Sequence, residues 1–360
     1  MPPVTVTLTP ENELPAWRVV VKRAVAVLLS GLLLYVLAPV LIKVVSVWPR
    51  LSSLRPAWTV VGLVVEAGSF TCTFFLKRIA LRTRAILAVI TSALVGNAVT
   101  NVLPGGDATG ATIEFSLLST SGVETGAAVG GLTATALLQT GCLLALPVLT
   151  LPTILAGAPV SRGLVHLVFL GLAMFALYAV GAFGLFQTDE PLRLIGRIVQ
   201  RLHNSLLRRR RPITDLPDRL LRERNSTRRA LGTKWWQALL FATGRVLLDF
   251  ACLLAMLAAT RTRPEPSLVL IAYVATTVVA LLPLTPGGLG LVEGSLTGLL
   301  VLAGVPAAKA VLSTLAYRVA SYWFPTFAGP IAYVIFRSRY RSGQDHNDTL
   351  PTEGGSSARQ

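Results

Sequence analysis

Apolar runs close to 20 residues long recur along this chain, and the charges are gathered mostly in the stretches between them. No other feature limits the fold as much. A helix rises about 1.5 Å per residue, so roughly 20 apolar residues cross the ~30 Å hydrocarbon core of a bilayer. The runs fall at 24–42, 57–76, 85–103, 123–150, 160–187, 234–260, 266–284 and 306–336. Only 14% of the 360 residues are charged, against about 25% in a soluble domain. Short segments of alternating polarity, the mark of a membrane barrel, are not seen. The reading is an all-α polytopic membrane protein with about eight transmembrane helices.

The net charge of +16 then reports topology rather than nucleic-acid binding, because Lys and Arg collect in cytoplasmic loops. Arg18, Lys22 and Arg23 precede the first run, Lys77, Arg78, Arg82 and Arg84 separate the second from the third, and Arg337, Arg339 and Arg341 follow the last. These clusters place both termini in the cytoplasm, although Lys43, Arg50 and Arg55 dissent. The expected organisation is a segment 1–23, a membrane domain 24–336 and a disordered polar tail 337–360. The expected location is a bacterial inner membrane. Loop 188–233 holds twelve Arg against five acids. Its first part is amphipathic, with Leu192, Ile195, Val199, Leu202 and Leu206 at helical spacing, which suits an anionic lipid surface. The three Cys and three His are scattered, so no metal site, cofactor or disulfide framework is indicated. The N-terminus lacks the pattern of a cleaved signal peptide.

A Pro-Gly-Gly occurs twice in register. Shifting the chain by 182 residues lays Pro104-Gly105-Gly106 on Pro286-Gly287-Gly288, and 10 of the 31 positions from 104 to 134 are then identical. Each break stands 18 residues before a Gly-Val pair, Gly122-Val123 and Gly304-Val305. The apolar segments after the breaks, 108–121 and 288–303, are short for full spans. The implied unit is two spans, a break, a short half-helix and another span. Its copies cover about 57–150 and 234–336. If both half-helices complete a crossing, the copies are inverted and the arginine-rich loop stays inside; if both re-enter, that loop lies outside, against the charge rule. Inverted copies are therefore favoured, an arrangement of transporters with a central site.

Pro removes a backbone donor and Gly widens the allowed dihedrals, so each break frees backbone groups at membrane depth. Such groups must be buried in protein or line a wet cavity. The half-helix behind each break offers N–H groups and the positive end of a dipole, which suit a phosphate. Asn97 and Asn101 precede the first break on one helix face. Asp107, Thr109, Thr112 and Glu114 follow it. Thr285, Gly290 and Glu293 flank the second, with Arg318 one span later. The alternative for one break alone is a tight loop. Arg245 and Asp249, i and i+4, read as a neutralising pair. Tyr322-Trp323 reads as an interface anchor, and Glu66 has no evident partner.

The stretches "LPLTPGGLGLVEGSL" and "AGVPAAKAVLSTLAYRVASYWFP" resemble the lysylphosphatidylglycerol synthase transmembrane-region family of flippase-like membrane proteins. "NAVTNVLPGGDATGATIEF" resembles that family's first-half motif. The resemblance marks Pro286, Gly287, Gly288, Gly290, Glu293, Tyr317 and Arg318 as motif positions. It implies movement of aminoacylated phosphatidylglycerol, or service to enzymes acting on polyprenyl-linked sugars. Glu114 stands ten residues past its Pro and Glu293 seven past its own, so the two are not repeat mates. The aminoacyl-transfer domain of the fused relatives is not seen, and a separate lipid-modifying enzyme would supply that cargo. No nucleotide-binding motif appears, nor any catalytic constellation. The leading expectation is a transporter of an anionic-phosphate lipid. Its rivals are a transferase acting on polyprenyl phosphate and a non-catalytic subunit presenting lipid to a soluble enzyme.

Overall fold

The computed structural model describes residues 54–103, 106–155, 162–187, 232–280 and 286–340, with scattered positions between 189 and 225. The expected span 24–42, the segment 1–23, most of the basic loop, Pro104, Gly105, Thr285 and the chain beyond 340 lie outside the described residues. All described residues belong to one compact unit.

The described elements are helical. Helix α1 (Pro56–Leu81) starts on a proline, whose missing N–H costs nothing at a helix start. Helix α2 (Ile86–Val102) stops one residue short of Pro104, in extended backbone at Leu103, because proline excludes the α region from the residue before it. Behind the first break come α3 (Gly106–Thr120) and α4 (Thr125–Ala145), the latter running on through a 3-10 turn into the short α5 (Leu151–Leu155). Then come α6 (Arg162–Gln187), α7 (Trp235–Ala259) and α8 (Pro266–Ala280). The second break holds a 3-10 turn at Pro286–Gly288 and leads into α9 (Leu291–Leu302). Helix α10 (Ala307–Arg318) continues through a π-helical segment, Val319–Trp323, into α11 (Phe324–Tyr340). The stretches on either side of α6 thus share one succession: helix, helix, break, half-helix, helix.

The π segment has a local cause. Pro325 cannot donate a helical hydrogen bond, and just before it the Phe324 N–H reaches back five residues to the Val319 carbonyl. The last helix runs to Tyr340, past the expected end of the span at 336.

Four helical stretches are long and apolar enough to cross a membrane: 56–81, 125–150, 232–259 and 307–340. Shorter apolar helices lie at 86–102, 168–184, 266–280 and 291–302. Polarity is distributed as lipid demands. Leu177 and Phe324 are 76% and 70% exposed, while Glu66, Glu114, Asp249 and Arg318 are buried. Water would favour the reverse. These observations establish a multi-pass helical membrane protein.

The largest core joins α7, α8, α9 and α10 through Leu253, Met256, Val274, Leu296, Leu300 and Ala310. Helices of the two halves also pack across: α1 lies along α7, and α2 along α11. Small residues make the close approaches, as expected where lipid removes the hydrophobic drive between helices. A Cβ on Gly96 would stand 3.1 Å from that of Glu114 and 3.2 Å from the Gly110 carbonyl, which holds α2 close on α3. A Cβ on Gly329 would strike Ala98, which brings α11 against α2 just below the first break.

Candidate functional site

The second break and the π segment together build a polar cluster. Glu293 sits one turn into α9 and its Oε2 turns back to accept the Gly290 N–H at 2.6 Å. Gly290 has no side chain to complete the reciprocal cap, so only the acidic half of that device is made. The other carboxylate oxygen, Oε1, accepts from Arg318 Nε at 2.7 Å. Arg318 Nη2 also donates to the Gly287 carbonyl at 3.3 Å, and its guanidinium lies 4.2 Å above the Tyr322 ring centroid. The Arg318 side chain is therefore held on three sides: by a carboxylate, by freed backbone and by an aromatic face.

Tyr322 ties this cluster to the first break. Its hydroxyl donates to the Asn101 carbonyl at 2.8 Å. Asn101 Nδ2 donates to Thr326 Oγ1 at 2.8 Å and to Asn97 Oδ1 at 3.2 Å. Gly287 is what permits the approach. Its φ is +59°, and a Cβ there would meet the Tyr322 hydroxyl at 2.5 Å and the Asn101 carbonyl at 2.7 Å. Asn97, Asn101, Gly287, Gly290, Glu293 and Arg318 are thus connected through Tyr322 and Thr326. Gly288 lies within the same turn at φ +69°. Pro286 opens that turn.

Other candidates are placed elsewhere. Glu114 accepts both its hydrogen bonds from Lys77 Nζ, at 2.7 and 2.8 Å, between α3 and α1. Charge counting groups Lys77 with the cytoplasmic loop cations; the structure withdraws it into a buried ion pair 13% and 7% exposed at its two side chains. Gly106 adopts φ +49° with open space around it, and Asp107 follows it at the start of α3. Thr109 and Thr112 return their hydroxyls to helix carbonyls, Gly106 O and Ala108 O, at 2.9 and 2.7 Å. Tyr317 points away from the break, donating to Asp249 Oδ2 at 2.6 Å. Arg245 and Asp249 do pair, at 3.3 Å, but inside a larger cluster with Tyr273 and Tyr317. Tyr322 and Trp323 correct an expectation: both are buried, at 5% and 6% exposure, and neither is an interface anchor. Sequence reading missed Tyr322 and Thr326 as cluster members. Their spacing of four places them on one helix face, and that is the only signal they carry.

Freed helix-end donors were expected to stand open beside the second break. Gly290 N–H instead bonds the Glu293 carboxylate, so an anion already occupies that donor and it belongs to the protein itself. Among the described residues, no three His, Cys, Asp or Glu side chains gather as metal ligands.

The family described as the lysylphosphatidylglycerol synthase TM region matches residues 23–329. The chain belongs to that family. Both breaks, the Glu293–Arg318 pair and Tyr322 all fall inside the matched stretch of this lysylphosphatidylglycerol synthase TM-region protein. It is also similar to a UPF0104 membrane protein of Methanothermobacter thermautotrophicus, 34% identical over 99 residues. That stretch covers 28% of this chain and 28% of the archaeal protein's length. No solved structure matches the chain.

Proposed function

We propose that this membrane protein moves a lipid with an anionic phosphate headgroup, such as an aminoacylated phosphatidylglycerol, between the leaflets. The observation that carries the proposal is the position of the Glu293 carboxylate. It bridges a helix N-terminus and an arginine, the two partners a phosphate oxygen would seek. In the reading proposed here, a headgroup phosphate exchanges with Glu293. It takes the Gly290 N–H and Arg318 while the carboxylate swings aside. The internal anion keeps Arg318 neutralised when no lipid is present. Without it, a bare guanidinium would stand in a low-dielectric interior at a cost of several kcal/mol.

Two further features support the lipid reading. The break and the π segment are both places where a helix can change its hydrogen-bond register. A separate groove of about 780 Å³ runs between α4, α6 and α7, lined by Leu138, Cys142, Leu146, Phe175, Tyr178 and Leu247. Its chemistry suits an acyl chain, and it shares no residue with the Arg318 cluster. The two stretches of like element order would act as inverted copies around the cluster, with both termini in the cytoplasm. A separate enzyme would supply the aminoacyl lipid.

The test is native mass spectrometry of gently purified protein, with Arg318→Gln and Glu293→Gln beside it. An anionic phospholipid retained by the wild type, lost in Arg318→Gln and held more strongly in Glu293→Gln, is the expected result. Equal retention in all three proteins would sink the headgroup site. A retained polyprenyl-linked sugar would keep the site and change the cargo. Leaflet exchange of fluorescent phosphatidylglycerol in proteoliposomes then separates transport from binding: Arg318→Gln should abolish it.

A further inference from the structure

A second polar cluster lies on the other side of α10, where the lipid reading gives it no task. Glu66 and Ser69 reach it from α1, Arg245, Asp249 and Cys252 from α7, Tyr273 from α8 and Tyr317 from α10. Asp249 has three partners. Its Oδ2 accepts from Tyr273 at 2.5 Å and from Tyr317 at 2.6 Å, and its Oδ1 lies 3.3 Å from Arg245 Nη1. Arg245 Nη1 also donates to Ser69 Oγ at 2.8 Å. Glu66 has no such set. It is 2% exposed, neither of its carboxyl oxygens has a well-formed hydrogen bond, and what lies against it is the Cys252 thiol, a weak donor, and the Asp249 carboxylate.

The charges cannot balance as ordinary ions. Two carboxyl groups face one guanidinium, and Asp249 with its three donors is the one built to be an anion. A buried ionised carboxylate with no donor stronger than a thiol costs far more than a neutral carboxyl. Glu66 lies ten residues into α1, about 15 Å along the axis at 1.5 Å per residue. That places it near mid-membrane, where an ionisable group defaults to a functional role.

We propose that Glu66 is a proton-exchange site, and that its state reaches the second break through Tyr317 and Arg318. The proton adds to a Glu66 carboxylate oxygen from water when the α1–α7 interface opens, and it leaves to water the same way. With the proton on, the cluster holds one carboxylate and one guanidinium and is neutral. With the proton off, two adjacent anions compete for Arg245 and the two tyrosine hydroxyls. Tyr317 then exchanges partners. The next residue in the chain is Arg318, bonded to Glu293 and the Gly287 carbonyl, and the π segment begins directly after it. A shift of Tyr317 therefore acts at once on the residue that clamps the break. Among the described residues, the facing titratable and charged groups are Asp249, Arg245 and Cys252 of α7, Tyr273 of α8 and Tyr317 of α10, with Arg245 the one cation.

The experiment is pH-difference infrared spectroscopy of the full chain reconstituted in lipid nanodiscs. The wild type should show the carbonyl stretch of a buried protonated carboxyl that disappears as pH rises. Glu66→Gln should lack that band, and Tyr317→Phe should move the pH at which it titrates. If Glu66→Gln fails to fold, Glu66→Asp should shift the band in frequency instead. A band that is unchanged in Glu66→Gln, or that does not respond to pH, would overturn the exchange site. A band confirmed at Glu66 but titrating identically in Tyr317→Phe would overturn the transmission to Arg318. None of these readouts uses lipid retention, so their failure leaves the headgroup reading where its own test puts it.

Discussion

The two Pro-Gly-Gly breaks begin from the same tripeptide and end in different chemistry. At the first, Glu114 stands well inside α3 and is held by Lys77, from a helix earlier in the chain. At the second, Glu293 stands at the mouth of α9, returns to the Gly290 N–H and is held by Arg318, from a helix later in the chain. Gly106 has open space around it, whereas Gly287 is pressed between the Tyr322 hydroxyl and the Asn101 carbonyl. The tripeptide frees backbone in both places. What is done with that freedom depends on the neighbouring helices. The first pair closes an interface between α1 and α3. The second pair joins a helix N-terminus to an arginine, the arrangement on which the proposed exchange with a headgroup phosphate rests.

Several substitutions would break or sharpen that contrast. The largest effect is expected from removing a single cation. Lys77→Met should cost roughly 3–5 kcal/mol, because it leaves the buried Glu114 carboxylate unpaired, and Arg318→Met about 2–4 kcal/mol, because Glu293 is only partly buried and keeps the Gly290 N–H. Unfolding in mild detergent measures this. Lipid retention should separate the two: lost in Arg318→Met, kept in Lys77→Met with Glu114→Gln added to restore neutrality. Loss of lipid from both would erase the distinction drawn between the breaks.

Next in size is Gly287→Ala. It combines a left-handed backbone with a collision, so a loss of about 2–4 kcal/mol is expected in the same unfolding assay. Its counterpart, Gly106→Ala, meets no neighbour and should lose only about 1–2 kcal/mol, from backbone strain alone. Equal losses would mean that the crowding at Gly287 is not maintained in the membrane. The smallest effect is expected from Tyr322→Phe, which removes one hydrogen bond to the Asn101 carbonyl and should cost about 1 kcal/mol. Hydrogen exchange at the second break, followed by mass spectrometry, should nevertheless quicken in that variant.

Much of the architecture is legible in the chain because a bilayer leaves so few options. Seven of the eight expected spans fall wholly or mostly on described residues, and the described part of each is mainly helical. Their lengths differ where local chemistry intervenes: Pro104 stops α2 at Val102, and the arginines after Phe336 continue α11 for a further turn to Tyr340. The candidate site was legible only in part. Asn101, Gly287, Glu293 and Arg318 could be singled out because breakers and charges are expensive in lipid. Tyr322 could not, since a Tyr-Trp pair in an apolar run reads as an interface anchor.

Sequence alone determined the class of protein, the places where its helices break and the ionisable residues that needed a reason to be there. These follow from one-dimensional rules: the length of an apolar run, the missing N–H of proline and the cost of a charge in hydrocarbon. The pairing was decided by tertiary structure. Lys77 reads as one of four loop cations until α3 brings Glu114 against it, and Tyr317 and Arg318, neighbours in the chain, face different carboxylates. Partners for a charge are chosen by which helices pack side by side, and that choice rests on side-chain contacts between residues far apart in the chain.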